Sequence, residues 1–392
     1  MPERNTMKKI QELQQVKGDA YDYYIAGNED TDLFGKIFLV DDIVEEICKP
    51  DKYFLIGEKG SGKTAYSVYM SKSDKINSFC SISLVENTLY QRFLNMKRQK
   101  ALELSSFKDV WINLIYLILA EKIRKEYGET FFSSIKYKQL SKAIDVFYSD
   151  AFKPEFVNAF EFVDNASASI NSMMKQGLFS TGTKASAETS QKYVEQSFQI
   201  SLLKIRDGFE KAFMSVNLKK PTILFVDGID ARPRDIDNEQ YFECLVGLVN
   251  AVLEMNQSFL KEKQIKIMLL IRPDIMYKMP VHNMNQKLRN NSVLLNWVTS
   301  YRKYIDSKLF KIADDYFMKQ QDYSYELGEC WNYYFPYKVE YQEKWKAPDN
   351  PFVEFLRYSL YKPRDILTML NEMVDATTVS YTHLTLPTNR EV

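Results

Sequence analysis

Histidine and cysteine are scarce in this sequence, whose 392 residues include only two histidines and four cysteines. The cysteines lie far apart, and no two of them form a Cys-x-x-Cys pair; they are Cys48, Cys80, Cys244 and Cys330. Neither a structural zinc site nor a disulfide framework is expected from so few and such scattered ligands. We expect reduced thiols, as in a cytoplasmic protein.

An excess of charge of one sign is also missing, because 52 Lys and Arg residues balance 52 Asp and Glu residues. No global basic field exists, so binding of nucleic acid or anionic lipid would have to be local. The longest apolar stretch, 110–120, contains Asn113 and is shorter than the roughly 18 residues of a membrane span. The charged N-terminus lacks the apolar core of a signal peptide. We therefore expect no membrane partner.

Enough apolar sequence is present for a large core, at 45% of residues against 27% charged. The length allows one large α/β domain with insertions, or two domains. Short β-branched and aromatic runs alternate with helical patterns at 63–70 and 241–260, which predicts parallel β-α-β units with a ligand at the carboxyl ends of the strands. The predicted strands are 52–56, 76–83, 222–226, 265–271 and 292–295. Between the second and third, residues 86–218 form a predicted helical insertion, with a core stripe at 107–118.

The strongest signal is an octapeptide that fits the pattern G-x-x-x-x-G-K-[ST], with a strand before it and a helix after it. Its glycines permit main-chain torsions that turn successive N–H groups toward phosphate oxygens. The lysine can reach the β- and γ-phosphates, and the threonine hydroxyl can bind Mg²⁺. The predicted nucleotide-binding residues are Gly57, Glu58, Lys59, Gly60, Ser61, Gly62, Lys63 and Thr64.

A second signal is the apolar strand 222–226, which is followed by Asp227-Gly228-Ile229-Asp230. A carboxylate at the tip of a buried strand beside a phosphate loop can hold Mg²⁺, and a second acid can orient an attacking water. We assign Asp227 to the metal and Asp230 to the water.

Four motifs together resemble the P-loop ATPases of the AAA+ and STAND branches, across about residues 30–375. They are Gly-Glu-Lys-Gly-Ser-Gly-Lys-Thr at 57–64, Phe-Val-Asp-Gly-Ile-Asp at 225–230, Leu-Leu-Ile-Arg-Pro-Asp-Ile at 269–275 and Lys-Pro-Arg-Asp-Ile-Leu at 362–367. The resemblance implies a three-layer fold with a five-stranded parallel sheet in the order 5-1-4-3-2 and a C-terminal helical lid. It also implies ATP and Mg²⁺ as ligands.

By position in these motifs, Arg272 resembles a sensor of the γ-phosphate and Arg364 resembles a second sensor in the lid. Arg289 lies where the family places an arginine finger, although an isolated loop arginine is usually solvated. One departure is the Asp-Gly-x-Asp form, because the adjacent Asp-Glu of fast AAA+ motors is absent. Slow turnover is expected.

The implied function is an ATP-dependent switch or regulatory module, of a kind often found in bacterial defence. A P-loop kinase of a small acceptor is an alternative, although no compact arginine cluster forms a lid. A further alternative is ATP-modulated binding of nucleic acid by an aromatic and lysine segment at 333–346. A protein partner or a homo-oligomer is possible, and the choice between ATP and GTP stays open.

The predicted organisation is a polar segment at 1–30, an ATPase domain at 31–300 with its insertion, and a lid at 301–376. Residues 377–392 are Thr-rich and resemble translated sequencing-adapter sequence, so we expect a non-native tail there.

Overall fold

The computed structural model describes residues 7–26, 32–85, 107–132, 137–150, 202–229, 238–279, 288–340 and 349–384. The predicted insertion therefore falls partly outside the described residues. So does Asp230.

Five strands form one parallel sheet, so the predicted α/β class with a five-stranded parallel sheet is confirmed. The strands are β1 (Phe54–Ile56), β2 (Phe79–Leu84), β3 (Thr222–Asp227), β4 (Ile265–Ile271) and β5 (Ser292–Leu294). Their order across the sheet is β2-β3-β4-β1-β5, which is 5-1-4-3-2 when read from the opposite edge. All residues of β1, β3 and β4 are buried, as expected of central parallel strands with both faces covered.

Thirteen described α-helices accompany the sheet. They are α1 (Tyr21–Ile25), α2 (Asp32–Ile37), α3 (Asp42–Cys48), α4 (Lys63–Lys72), α5 (Phe107–Phe132), α6 (Lys138–Asp150), α7 (202–215), α8 (Asn238–Gln257), α9 (Pro273–Lys278), α10 (Lys308–Met318), α11 (Glu329–Tyr334), α12 (Pro351–Ser359) and α13 (Pro363–Leu384). Short 3₁₀ helices occur at Ile10–Glu12 and Tyr301–Asp306, and a helical turn at 288–290.

The chain divides into two compact units, each built from segments that are distant in the sequence. One unit, the sheet unit, comprises Cys48–Ile56 and Asp74–Val293. The other, the loop unit, comprises Met1–Ile47, Gly57–Ser73 and Leu294–Val392, and so contains the octapeptide. The predicted boundaries at residues 300 and 376 stay predictions.

The core of the sheet unit packs α5 and α8 on the sheet. The predicted stripe lies in α5, where residues 110–120 are all buried. Helices α5 and α8 approach closely at Gly247, since a Cβ there would lie 2.6 Å from the Phe107 Cβ. The indole of Trp111 donates to the Cys244 carbonyl at 3.1 Å and ties the same two helices together.

The loop unit has its own aromatic core, in which Phe310, Trp331 and Phe352 pack edge to face. Helix α4, which follows the octapeptide, is anchored in this unit through Phe38, whose ring stacks on Tyr69 at 4.2 Å. The Tyr66 hydroxyl donates to Asp41 at 3.0 Å. Burial and that carboxylate raise the pKa of Tyr66 and keep it a hydrogen-bond donor.

Helix α13 begins at Pro363, a favourable first helical residue, and continues past residue 376 to Leu384. The Thr377 hydroxyl donates to the carbonyls of Met373 and Val374, which satisfies it inside the helix. In the described part of the chain, no helix has the length and apolar character needed to cross a bilayer.

Candidate functional site

The octapeptide forms a tight loop between the end of β1 at Ile56 and the start of α4 at Lys63. Gly60 and Gly62 have φ angles of +83° and +94°, in the left-handed region that residues with a Cβ rarely adopt. The Ser61 amide donates to the Glu58 carbonyl at 3.1 Å, which closes a turn within the loop. The two glycines are thus required by the loop's backbone conformation.

Several polar groups of this loop have no partner in the described part of the chain. The amides of Lys59, Gly60 and Gly62 donate no hydrogen bond there. The Ser61 hydroxyl is buried and also has no partner, a property it shares with Ser81 Oγ, Asn113 Oδ1 and Gln240 Oε1 among described side chains. A buried polar atom without a partner is costly unless a ligand satisfies it.

The Lys63 side chain is buried with 7% exposure, and its amine lies against the main chain of the loop. Lys63 Nζ donates to the carbonyl oxygens of Gly57 at 2.9 Å and Glu58 at 3.3 Å. Gly57 has no room for a side chain, because an added Cβ would overlap Ser61 Oγ and lie 3.1 Å from Leu295 Cβ. The loop thus folds around a cation at the N-terminus of α4, where the helix dipole adds positive potential. Thr64 follows, half-buried in the first turn of α4.

The C-terminal segment of the loop unit contacts the octapeptide directly. The Arg364 amide donates to the Gly60 carbonyl at 3.3 Å. A Cβ built on Gly60 would lie 3.6 Å from Arg364 Cβ and 3.7 Å from Lys362 Cβ. The Trp297 indole donates to the Ser61 carbonyl at 2.8 Å. The structure therefore brings Arg364 to the loop, together with Lys362 and Trp297.

Lys362 and Trp297 were missed as site residues in the sequence. Lys362 is the first residue of the Lys-Pro-Arg-Asp-Ile-Leu motif, and that position was a usable signal. Trp297 had none, because its contact with Ser61 joins residues 236 positions apart.

In the sheet unit, β3 ends at Asp227, whose side chain is 7% exposed. Its Oδ1 accepts from the Gly228 amide at 2.7 Å, and its carbonyl accepts from the Val85 amide at 2.8 Å. Gly228 has a φ of +85°, and a Cβ there would lie 3.0 Å from the Val85 carbonyl oxygen. This turn fixes the Asp227 carboxylate at the carboxyl edge of the sheet.

Arg272 follows β4 and caps α9. Its guanidinium forms a bidentate pair with Asp274, with distances of 2.9 Å from Nε to Oδ1 and 2.8 Å from the second nitrogen to Oδ2. The predicted sensor is therefore paired with a neighbouring acid in this structure. Arg289 is exposed, and no described residue pairs with it.

Among the described residues, no group of three or more His, Cys, Asp or Glu side chains could hold a metal ion. Asp227 and Thr64 stay the predicted ligands of Mg²⁺, and Asp230 lies outside the described residues.

The aromatic segment predicted as a possible nucleic-acid surface is only partly exposed. Phe335 is buried on Trp331, and the Tyr334 ring stacks on Phe317 at 4.5 Å. Tyr333 and Tyr337 are 51% and 58% exposed. Residues 341–348, which include Lys344 and Lys346 of that segment, lie outside the described residues. Core packing thus explains half of the described aromatic side chains.

No protein-family model, curated protein or solved structure matches this chain. The resemblance to AAA+ and STAND ATPases consequently rests on the four sequence motifs.

Proposed function

We propose that this chain binds a nucleoside triphosphate through the loop at 57–64 and hydrolyses it slowly, as a nucleotide-dependent switch. The observation that carries the proposal is the loop itself, with left-handed Gly60 and Gly62, unbonded amides and the buried Lys63 amine at the start of α4. These are the groups that bind phosphate oxygens in a main-chain anion site.

The buried Ser61 hydroxyl fits the same ligand, because a phosphate oxygen would accept its otherwise unpaired proton. Hydrogen bonds to a charged partner contribute roughly 1.5–3 kcal/mol each, so a few of them suffice for micromolar affinity. The parallel sheet is compatible with a P-loop NTPase fold, which remains part of the proposal.

Each predicted residue has a definite task in this function. Lys63 neutralises phosphate charge, Arg364 adds a cation from the C-terminal segment, and Thr64 offers a hydroxyl to Mg²⁺. The metal, when bound, would neutralise charge on the phosphates of the substrate. Asp227 stays the predicted carboxylate ligand of that metal, Asp230 the predicted orienter of water, and ATP the expected nucleotide.

The decisive experiment replaces Lys63 with alanine and measures Mg-ATP binding by titration calorimetry together with phosphate release without an added acceptor. We expect the wild type to bind and to release phosphate slowly, and Lys63→Ala to lose at least about 100-fold in affinity, or about 2.7 kcal/mol. The loss follows because a buried cation and its phosphate contacts are removed together.

Lys72→Ala, at the opposite end of the same helix, is the matched control and should bind as the wild type does. Thermal unfolding of all three proteins identifies a variant that has merely failed to fold. Undiminished binding by folded Lys63→Ala contradicts the proposal. Phosphate transfer only when a metabolite is supplied favours the kinase alternative instead.

A further inference from the structure

The turn between α12 and α13 has an unusual backbone. Leu360 and Tyr361 have φ angles of +49° and +59°, and the only other non-glycine residue with positive φ in the described part of the chain is Gln264. Side chains with a Cβ avoid this region, and such conformations persist only where the surroundings hold them in place. Two in succession mark a segment whose geometry is enforced.

The contacts around this turn show how it is enforced. The Lys362 amide donates to the carbonyl of buried Ser359 at 3.1 Å. The Tyr361 ring stacks on Tyr301, with centroids 6.2 Å apart and an interplanar angle of 14°. The Arg357 guanidinium lies over the same Tyr301 ring, 5.2 Å from its centroid. The turn is therefore braced by a main-chain bond and by an aromatic stack.

The consequence of the turn is the position of Lys362. Its Cβ and Cδ lie 3.7 Å from the position that a Cβ on Gly60 would occupy, so the stem of the side chain lies beside the loop. α13 begins at the next residue, Pro363, and brings Arg364 to the same glycine. Two basic side chains from one short segment thus meet the octapeptide at Gly60.

The charges of these two segments are unbalanced. Residues 57–64 and 362–365 contain four cations, Lys59, Lys63, Lys362 and Arg364, against the acids Glu58 and Asp365. Neither the Lys362 amine nor the Arg364 guanidinium has an ion-pair or hydrogen-bond partner among the described side chains. Like charges gathered at one loop repel each other, and an anionic ligand there would relieve the repulsion.

We infer that Lys362 is a third basic contact, after Lys63 and Arg364, for the phosphate chain of the nucleotide, and that the Leu360-Tyr361 turn holds it at the loop. This inference rests on the proposed function and adds to it a binding residue and the element that positions it. The lysine acts as a point charge on a flexible stem, so it favours highly charged phosphate chains over single phosphates.

The test is Lys362→Ala, with Mg-ATP affinity measured by titration calorimetry over a range of salt concentrations. We expect affinity to fall about tenfold and its salt dependence to become weaker, because one screened charge contact is lost. Lys362→Arg should remain within about threefold of the wild type, because the charge is kept. Lys303→Ala, an exposed lysine of the same unit, is the control and should not change affinity.

The role of the turn is tested by Leu360→Val, since a β-branched residue tolerates positive φ worst, and by Leu360→Asn, which tolerates it well. We expect Leu360→Val to weaken Mg-ATP binding and Leu360→Asn to preserve it. Combining Leu360→Val with Lys362→Ala should add no further loss, since both changes remove one contact.

Wild-type affinity in folded Lys362→Ala overturns this inference alone, while additive losses in the double variant overturn the positioning role of the turn. Absence of nucleotide binding by the folded wild type overturns the proposed function and this inference together.

Discussion

The glycine amides of the octapeptide loop and the charged side chains at the strand ends differ in whether they have hydrogen-bond partners. In the loop, the amides of Gly60 and Gly62 have no partner among the described residues. At the strand ends, Asp227 accepts from the Gly228 amide, and Arg272 is held by both oxygens of Asp274. Groups that lack partners can bind a ligand at once, whereas paired groups must first exchange a bond.

The two predicted sensor arginines differ in the same way. The Arg364 guanidinium has no partner among the described residues, while the Arg272 guanidinium is paired with Asp274 in its own helix turn. The difference favours the loop as the proposed anion site, whereas Arg272 would first have to be released from Asp274.

We expect the largest effect from Gly60→Ala, which alters the loop whose glycine amides lack partners. A Cβ at a φ of +83° is strained by roughly 1–2 kcal/mol, and it would also crowd a phosphate approaching the amides. We expect Mg-ATP affinity to fall at least about 100-fold, or about 2.7 kcal/mol, in titration calorimetry.

Gly208→Ala is the matched control, because Gly208 lies in α7 with open space around its Cα. That variant should bind normally and gain up to about 1 kcal/mol of stability from helix propensity. Normal binding by Gly60→Ala would mean that its amides do not hold the nucleotide.

Lys266→Met tests whether a hydrogen bond to a buried charged side chain in the sheet unit offsets the cost of burying that charge. The amine of this buried lysine donates to the Lys49 carbonyl at 2.8 Å. Burial lowers the pKa of Lys266 to about 8, so its charge is destabilising in the folded state. At pH 7 we expect the variant to be more stable by about 2 kcal/mol in urea unfolding, since the lost carbonyl bond offsets part of the gain.

The pH dependence of the unfolding free energy shows whether the Lys266 charge stabilises or destabilises the folded state. The folded pKa, about 8, lies below the unfolded value of 10.5, so the unfolded state binds more protons between these limits. The wild type should therefore gain unfolding free energy as the pH rises from 8 to 10.5, while Lys266→Met should lack that rise. Lys261→Met, an exposed position in the same unit, should follow the wild type. Parallel curves for all three would contradict the buried-charge explanation.

We expect the smallest effect from replacing the two predicted sensor arginines. These variants test whether a paired guanidinium contributes less to Mg-ATP affinity than an unpaired one. Arg364→Ala should weaken Mg-ATP binding about tenfold, whereas Arg272→Ala should change it less than about threefold while Asp274 holds that guanidinium. Asp274→Ala releases Arg272 and should tighten binding if Arg272 reads the γ-phosphate as predicted. Equal losses in the two arginine variants would show that pairing does not govern their availability.

Much of the sheet could be predicted from the sequence, because buried parallel strands leave continuous apolar runs. The strand predicted at 265–271 is observed at those residues, and the one predicted at 222–226 ends one residue later, at Asp227. The second strand, predicted at 76–83, is observed at Phe79–Leu84, since its polar flanks obscured the ends. The need for glycine at positions 60 and 62 could likewise be predicted from the sequence. A loop that turns its amides toward phosphate needs backbone conformations that a Cβ hinders.

The contacts that complete the loop could not be read from the sequence. The hydrophobic periodicity of a helix or strand indicates which of its faces is buried, but it does not indicate which other element packs against that face. Nothing local indicates that Trp297 bonds to Ser61, or that Leu360 and Tyr361 adopt positive φ. The partnership of Arg272 with Asp274 is local, yet the family resemblance favoured a different role for that arginine.

The hydrogen bond from Trp297 to Ser61 also has a consequence for synthesis on the ribosome. Translation must proceed 236 residues beyond the serine before this bond can form. At about 5–20 residues per second, that interval is on the order of ten seconds to a minute. During that time the nascent chain contains the glycine-rich loop without the tryptophan that later bonds to Ser61.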